Sequence, residues 1–120
     1  DDVESRGLGD VYKRQLPVPC ENSRPSWFGF LLTCREGVDK NKVVQYIEDH
    51  GVQTRMLFAG NIVKQPCFDE MRASGKGYRV VGNLAVTDRI MKDTFWLGVY
   101  PGMTDEKIDY MAKVIKEALQ

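Results

Sequence analysis

The chain has 120 residues, 42% of them hydrophobic and 28% charged, with 17 Lys+Arg against 17 Asp+Glu. That is the size and make-up of one ordinary small domain, and a net charge of zero excludes binding to nucleic acid or an anionic membrane by bulk charge. No apolar run approaches the ~20 residues of a membrane helix and no signal-like segment opens the chain, so a cytoplasmic protein without membrane or nucleic-acid partners is expected.

Residues 1–15 are charged and glycine-rich and show no apolar period. They read either as a disordered arm or as a non-native one, since Asp10-Val11-Tyr12-Lys13-Arg14-Gln15 resembles a translated library-adaptor sequence. The chain also starts with Asp1 rather than Met, which suggests a truncated start. The domain proper is taken as 16–120.

Pro17, Pro19 and Pro25 punctuate an extended lead-in. Residues 26–34 then predict a strand apolar on both faces, with Phe28, Phe30 and Leu32 on one and Trp27 and Leu31 on the other, as a central strand covered on both sides would be. Asp39 is an N-cap candidate for a helix over 40–50, where Val43, Val44 and Ile47 form one stripe and Gly51 supplies a left-handed stop. A half-polar strand over 52–57 suits a place near an edge.

An irregular stretch with Gly60-Asn61 as turn chemistry leads to a short helix beginning at Pro66. Gly75-Lys76-Gly77 lacks the preceding strand and following helix of a phosphate cradle and reads as an ordinary loop. Residues 83–92 predict a helix, and 95–100 a third strand apolar on both faces. A last helix is capped by Thr104, with Ile108, Met111, Ala112, Ile115 and Leu119 on its buried side. The order implies an α+β two-layer sandwich, a three-stranded mixed or mainly antiparallel sheet with helices on one side.

Catalytic chemistry is sparse. Cys20, Cys34 and Cys67 are odd in number and widely spaced, and the lone His50 sits at a helix end, so no metal site is expected within these residues. The pairs Glu48-Asp49 and Asp105-Glu106 are adjacent in sequence and do not converge on one helix face. Arg55 lies late in the second strand, before the Gly60-Asn61 loop, where a guanidinium can fork onto phosphate or carboxylate or make a surface ion pair. Arg89 is a similar case on a helix that also carries Asp88. Trp27, Phe28, Phe95 and Trp96 are core aromatics on residue type alone.

Six ordered segments go further. Pro25-Ser26-Trp27-Phe28-Gly29-Phe30, 54–61 (TRMLFAGN), Gln65-Pro66, Tyr78-Arg79-Val80-Val81-Gly82, Thr87-Asp88-Arg89-Ile90-Met91 and 94–102 (TFWLGVYPG) together resemble the C-terminal small domain of the CDP-4-dehydro-6-deoxyglucose 3-dehydrase group. This group lies in the sugar aminotransferase-like branch of fold-type-I pyridoxal-phosphate enzymes, and the resemblance spans about residues 22–119.

It implies a parent enzyme that uses pyridoxamine/pyridoxal 5′-phosphate for C3 deoxygenation of a CDP-4-keto-6-deoxyhexose in O-antigen dideoxysugar biosynthesis. It further implies a missing large domain carrying a [2Fe-2S] cluster, a flavin/iron–sulfur reductase partner and a homodimeric parent. The 120-residue chain alone is then expected to be inactive and to bind no cofactor, with no catalytic residue of its own. By the same resemblance Phe28 stands where aminotransferase relatives carry a histidine, and Phe28, Arg55, Asn61 and Arg89 face the cofactor–sugar adduct or its diphosphate. The alternatives are a fragment of a nucleotide-sugar aminotransferase and a stand-alone α+β module that binds a small anion.

Overall fold

The computed structural model describes residues 17–120 and the backbone of Arg14–Gln15. The remainder of the 1–15 arm, and Leu16 at the expected domain start, lie outside the described residues. Two residues of that arm, Arg14–Gln15 (β1), pair antiparallel with Cys34 and Thr33. The sheet proper is β2 (Gly29–Cys34), β4 (Thr94–Gly98) and β3 (Thr54–Met56), in the spatial order β1-β2-β4-β3 with every neighbour antiparallel. The sheet, expected to be mixed or mainly antiparallel, is antiparallel throughout its described pairs.

Chain order and spatial order differ in one place. β2 leads through α1 (Lys40–Asp49) to β3, and β4 later fills the gap between them, antiparallel to both. β3 is thereby left as the edge strand that its half-polar sequence implied. α1 starts where expected: the Asp39 side chain accepts from the backbone N–H of Asn41 at 2.9 Å and of Lys42 at 3.4 Å, relieving donors with no intrahelical partner. It stops at Gly51, whose φ of +76° disfavours any residue with a Cβ.

Strand alternation decides where the core sits. Phe30, Leu32 and Cys34 of β2 and Phe95 and Leu97 of β4 point to one face and are buried there against Val43 and Ile47 of α1. Ala112, Val114 and Ile115 of α4 (Asp105–Ala118) complete this core. The Thr104 hydroxyl caps α4 by accepting from Lys107 N–H at 3.4 Å. The expected layer of helices on one side is this pair, α1 packed on α4.

The opposite face departs from expectation. β2 alternates buried and half-buried positions instead of being covered twice, and α3 (Ala85–Asp93) borders that second face at its Leu31 and Thr33 end. α3 runs directly into β4, leaving too little chain to cross to the α1–α4 side. Lys40, itself buried, donates from Nζ to the Met91 carbonyl at 2.8 Å. A cation thus meets the negative end of α3 and pins it to the start of α1. A short helix, α2 (Asp69–Ser74), follows one 3-10 turn over Pro66–Phe68, and another spans Ile62–Lys64.

Candidate functional site

The register places Arg55, Trp96 and Leu31 opposite one another on adjacent strands, so their side chains form one transverse row on the face away from α1 and α4. Trp96 is its centre. The Phe28 ring lies 5.2 Å from it at 54°, and the Phe58 ring 5.0 Å away edge-on at 67°, separations at which tilted aromatic pairs attract. Yet Phe28 is 81% exposed and Phe58 77%. Three contacting aromatics thus form a ledge open to solvent. Gly29 is required beneath it: a Cβ there would fall 2.6 Å from Trp96 Cε3.

This corrects the sequence reading of Phe28 as a continuation of the Phe30/Leu32 face. The strand begins only at Gly29, and the bend at Phe28 swings its ring to the Trp96 side. Trp96 is half-buried where a core aromatic was expected; Phe95, one residue earlier on the alternation, is the core ring at 1% exposure.

Arg55 stands at the edge-strand end of the row. It is exposed, and its Nη1 donates to the Thr54 carbonyl at 2.8 Å. That bond uses one of five guanidinium donors and steadies the side chain, leaving the others for an anion. Arg89 flanks the opposite end: it is exposed on α3 and borders the same groove as Leu31 and Thr33. The two arginines therefore bracket the open face.

Asn61 does different work. It is 2% exposed and both ends of its amide are engaged: Oδ1 accepts from Val63 N–H at 3.2 Å and Nδ2 donates to Asp88 Oδ1 at 2.7 Å. Asp88 also holds Lys64 Nζ at 2.7 Å through its other oxygen. Gly60 lets this loop lie on Met91, whose Cγ would be 2.4 Å from a Cβ there. Asn61 thus ties the 57–65 loop to α3 from inside. The same loop presents Phe58, at φ +48°, to Trp96. A lone Asn in turn chemistry gave no sign of this lock; the partner is 27 residues away.

Lys64 and Asn61, each hydrogen-bonded to the Asp88 carboxylate, hold it below its ordinary value. A lowered folded-state value means that the carboxylate stabilises the fold at neutral pH, and that this contribution is lost as pH falls below the normal aspartate range. We expect acid titration of the thermal midpoint to show a drop below about pH 4 that is smaller in Asp88→Asn. Parallel curves for the two proteins would remove Asp88 from the lock.

Among the described residues no group of three His, Cys, Asp or Glu side chains comes together as a metal site. Cys34 is buried and its thiol is pushed up to about 11, mainly by burial and then by Asp93, while Cys20 and Cys67 are exposed. The Lys40 amine is spent on Met91, and His50 binds the Tyr46 carbonyl through Nδ1 at 2.7 Å and stacks on the Tyr46 ring at the end of α1. No helix here is long and apolar enough to cross a membrane, among the described residues.

Known proteins share this fold. The family model described as the DegT/DnrJ/EryC1/StrS aminotransferase family matches residues 3–116. The chain is 46% identical over 105 residues to the lipopolysaccharide biosynthesis protein RfbH of Salmonella typhimurium, covering 86% of this chain and 23% of that protein. It is 40% identical over 113 residues to the dTDP-4-dehydro-2,6-dideoxy-D-glucose 3-dehydratase of Saccharopolyspora spinosa, covering 92% and 23%. The chain therefore spans about a quarter of the length of these curated relatives. The solved E. coli GDP-4-keto-6-deoxy-D-mannose-3-dehydratase with bound hydrated PLP superimposes with a TM-score of 0.76 at 21% identity, over 95% of this chain and 28% of that one. Matched over nearly its whole length, the chain belongs to the DegT/DnrJ/EryC1/StrS aminotransferase family.

Proposed function

We propose that residues 16–120 are the small C-terminal domain of a pyridoxamine/pyridoxal 5′-phosphate-dependent nucleotide-sugar 3-dehydratase, inactive alone, that closes one side of the active-site cleft. The observation that carries this is the 40% identity over 113 residues to a protein named for 3-dehydration of a nucleotide-linked 4-ketosugar. The open face supports it: an exposed aromatic ledge bracketed by Arg55 and Arg89 suits a wall of a cleft that takes an anionic substrate.

In this reading Phe28 supplies an apolar ring, which neither gives nor takes a proton, where a transaminating relative would carry a histidine. Arg55 holds a diphosphate or carboxylate oxygen by forked N–H donors, and Arg89 adds a second cation at the far end. Asn61 acts behind them, fixing the loop that presents Phe58. The cofactor, when bound by the parent, supplies an electron sink at the sugar's C4 side, and the residues that hold it are assigned to the rest of that protein. To the same proposal belong a parental [2Fe-2S] cluster, a flavin/iron–sulfur reductase partner, a homodimer, a cytoplasmic setting and an O-antigen dideoxysugar pathway.

The test is a chimera in which residues 17–120 replace the matched quarter of the S. spinosa enzyme. We expect it to convert that enzyme's 4-ketosugar with loss of water at C3, followed by mass spectrometry. An amino sugar as product would assign the domain to an aminotransferase. A folded chimera without turnover would leave the small-anion module.

A further inference from the structure

We infer that the segment 75–83, with Val86 at the start of α3, is the seam by which this chain seats on the remainder of a longer polypeptide, an inference that rests on the reading just given. Residues 73–83 are exposed without interruption, and Val81 and Val86 are 74% and 73% accessible. Tyr78, Val80 and Val81 are strand-forming residues of the kind that a free loop avoids in favour of Gly, Pro, Asn, Asp and Ser. From Gly77 to Gly82 no backbone N–H or C=O makes a hydrogen bond among the described residues.

Both ends of the segment are nonetheless held. Gly75 N–H closes α2 onto the carbonyls of Met71 and Arg72, and the Tyr78 ring borders a hollow formed by Ile62, Val63, Phe68 and Met71. At the other end the Asn83 side chain accepts from Ala85 N–H at 3.1 Å as α3 begins. The middle is thus presented, with free main-chain groups and two exposed valines, as an extended segment is when another surface takes up its backbone.

The occupant follows from length and charge. About three quarters of each matched relative lies outside the part this chain covers, a body large enough to bury such a strip. Lys76 and Arg79 are the charged residues of 75–83, and the stretch has no acidic one. The covering surface therefore offers an apolar strip flanked by carboxylates. Through Val86, which lines the groove of Leu31, Thr33 and Arg89, this seam adjoins the Arg89 end of the open face.

Hydrogen exchange on the S. spinosa chimera tests this. Amides 78–81 are expected to exchange at least about tenfold more slowly than an unstructured chain. The double substitution Val81→Asp/Val86→Asp should abolish that protection and leave α4 protected. Exchange of 78–81 at the unstructured rate while α4 is protected overturns the seam. Protection in the 120-residue chain that rises with its concentration also overturns it, assigning the strip to a second copy. A protected chimera that does not dehydrate its substrate keeps the seam and removes the functional reading; a dehydrating chimera with 78–81 unprotected does the reverse.

Discussion

Replacing Phe95 by alanine is expected to cost about 3–5 kcal/mol, the range for deleting a buried aromatic ring from a packed core. Phe95 is 1% exposed in the central strand β4, where it pairs with Leu32 of β2 on one side and Met56 of β3 on the other. Its ring faces the layer of α1 and α4, and the neighbours that would have to collapse into the space, Leu32, Ile47 and Ile115, are themselves fully buried and fixed by their own elements. A cavity therefore persists, and its cost adds to the lost transfer free energy. Against a total stability of about 5–15 kcal/mol for a domain, the urea midpoint should fall by roughly a third to a half at the middle of that range. Phe95→Leu should recover more than half of the loss by refilling volume. A shift under about 1 kcal/mol for the alanine variant would show that the two layers are not packed on this ring.

In the dehydrating chimera, Arg55→Ala should lower kcat/KM by about 100-fold, since truncating one partner of a desolvated charge pair typically costs 2–5 kcal/mol. The loss should appear mainly in KM, because Arg55 is proposed to hold an anionic part of the substrate remote from C3, where ground state and transition state are bound alike. Arg55→Lys should restore only part of it, as a point charge lacks the fork that grips two oxygens. The side chain already bonds the Thr54 carbonyl, so its placement is largely settled before substrate arrives. A change below about threefold, under 1 kcal/mol, would move the anion contact to Arg89 or off this domain.

Much of this could be read from the residues because the signals are local. Asp39, Thr104 and Gly51 mark helix ends through bonds and dihedrals that span at most three residues. The stripe of Ile108, Met111, Ala112 and Ile115 marked the buried side of α4, and the half-polar strand around Arg55 marked an edge. Strand limits were less legible: β3 is three residues where six were expected, and its pairing stops at Thr54 and Met56 although β4 continues to Thr94 and Gly98 opposite β2.

The site needed more. Alternation assigned Phe28 to the core face, but alternation holds only inside a paired strand, and pairing starts one residue later. Asn61 was singled out with the substrate-facing residues because it stands in a matching segment. Its burial and its bond to Asp88 are set by how α3 lies against the loop, a relation of 27 residues that no window on the sequence contains.

By itself the sequence determined the class of the domain, the caps of α1 and α4, and its family, through six ordered segments. Only the tertiary structure decided which sheet face stays open, that Trp96 rather than Phe95 lies on it, and that Arg55 and Arg89 bracket it. The reason is physical. Hydrophobic period and capping depend on neighbours in the chain, whereas the face a side chain takes and the partner it finds depend on strand order, and that order was settled when β4 inserted between β2 and β3.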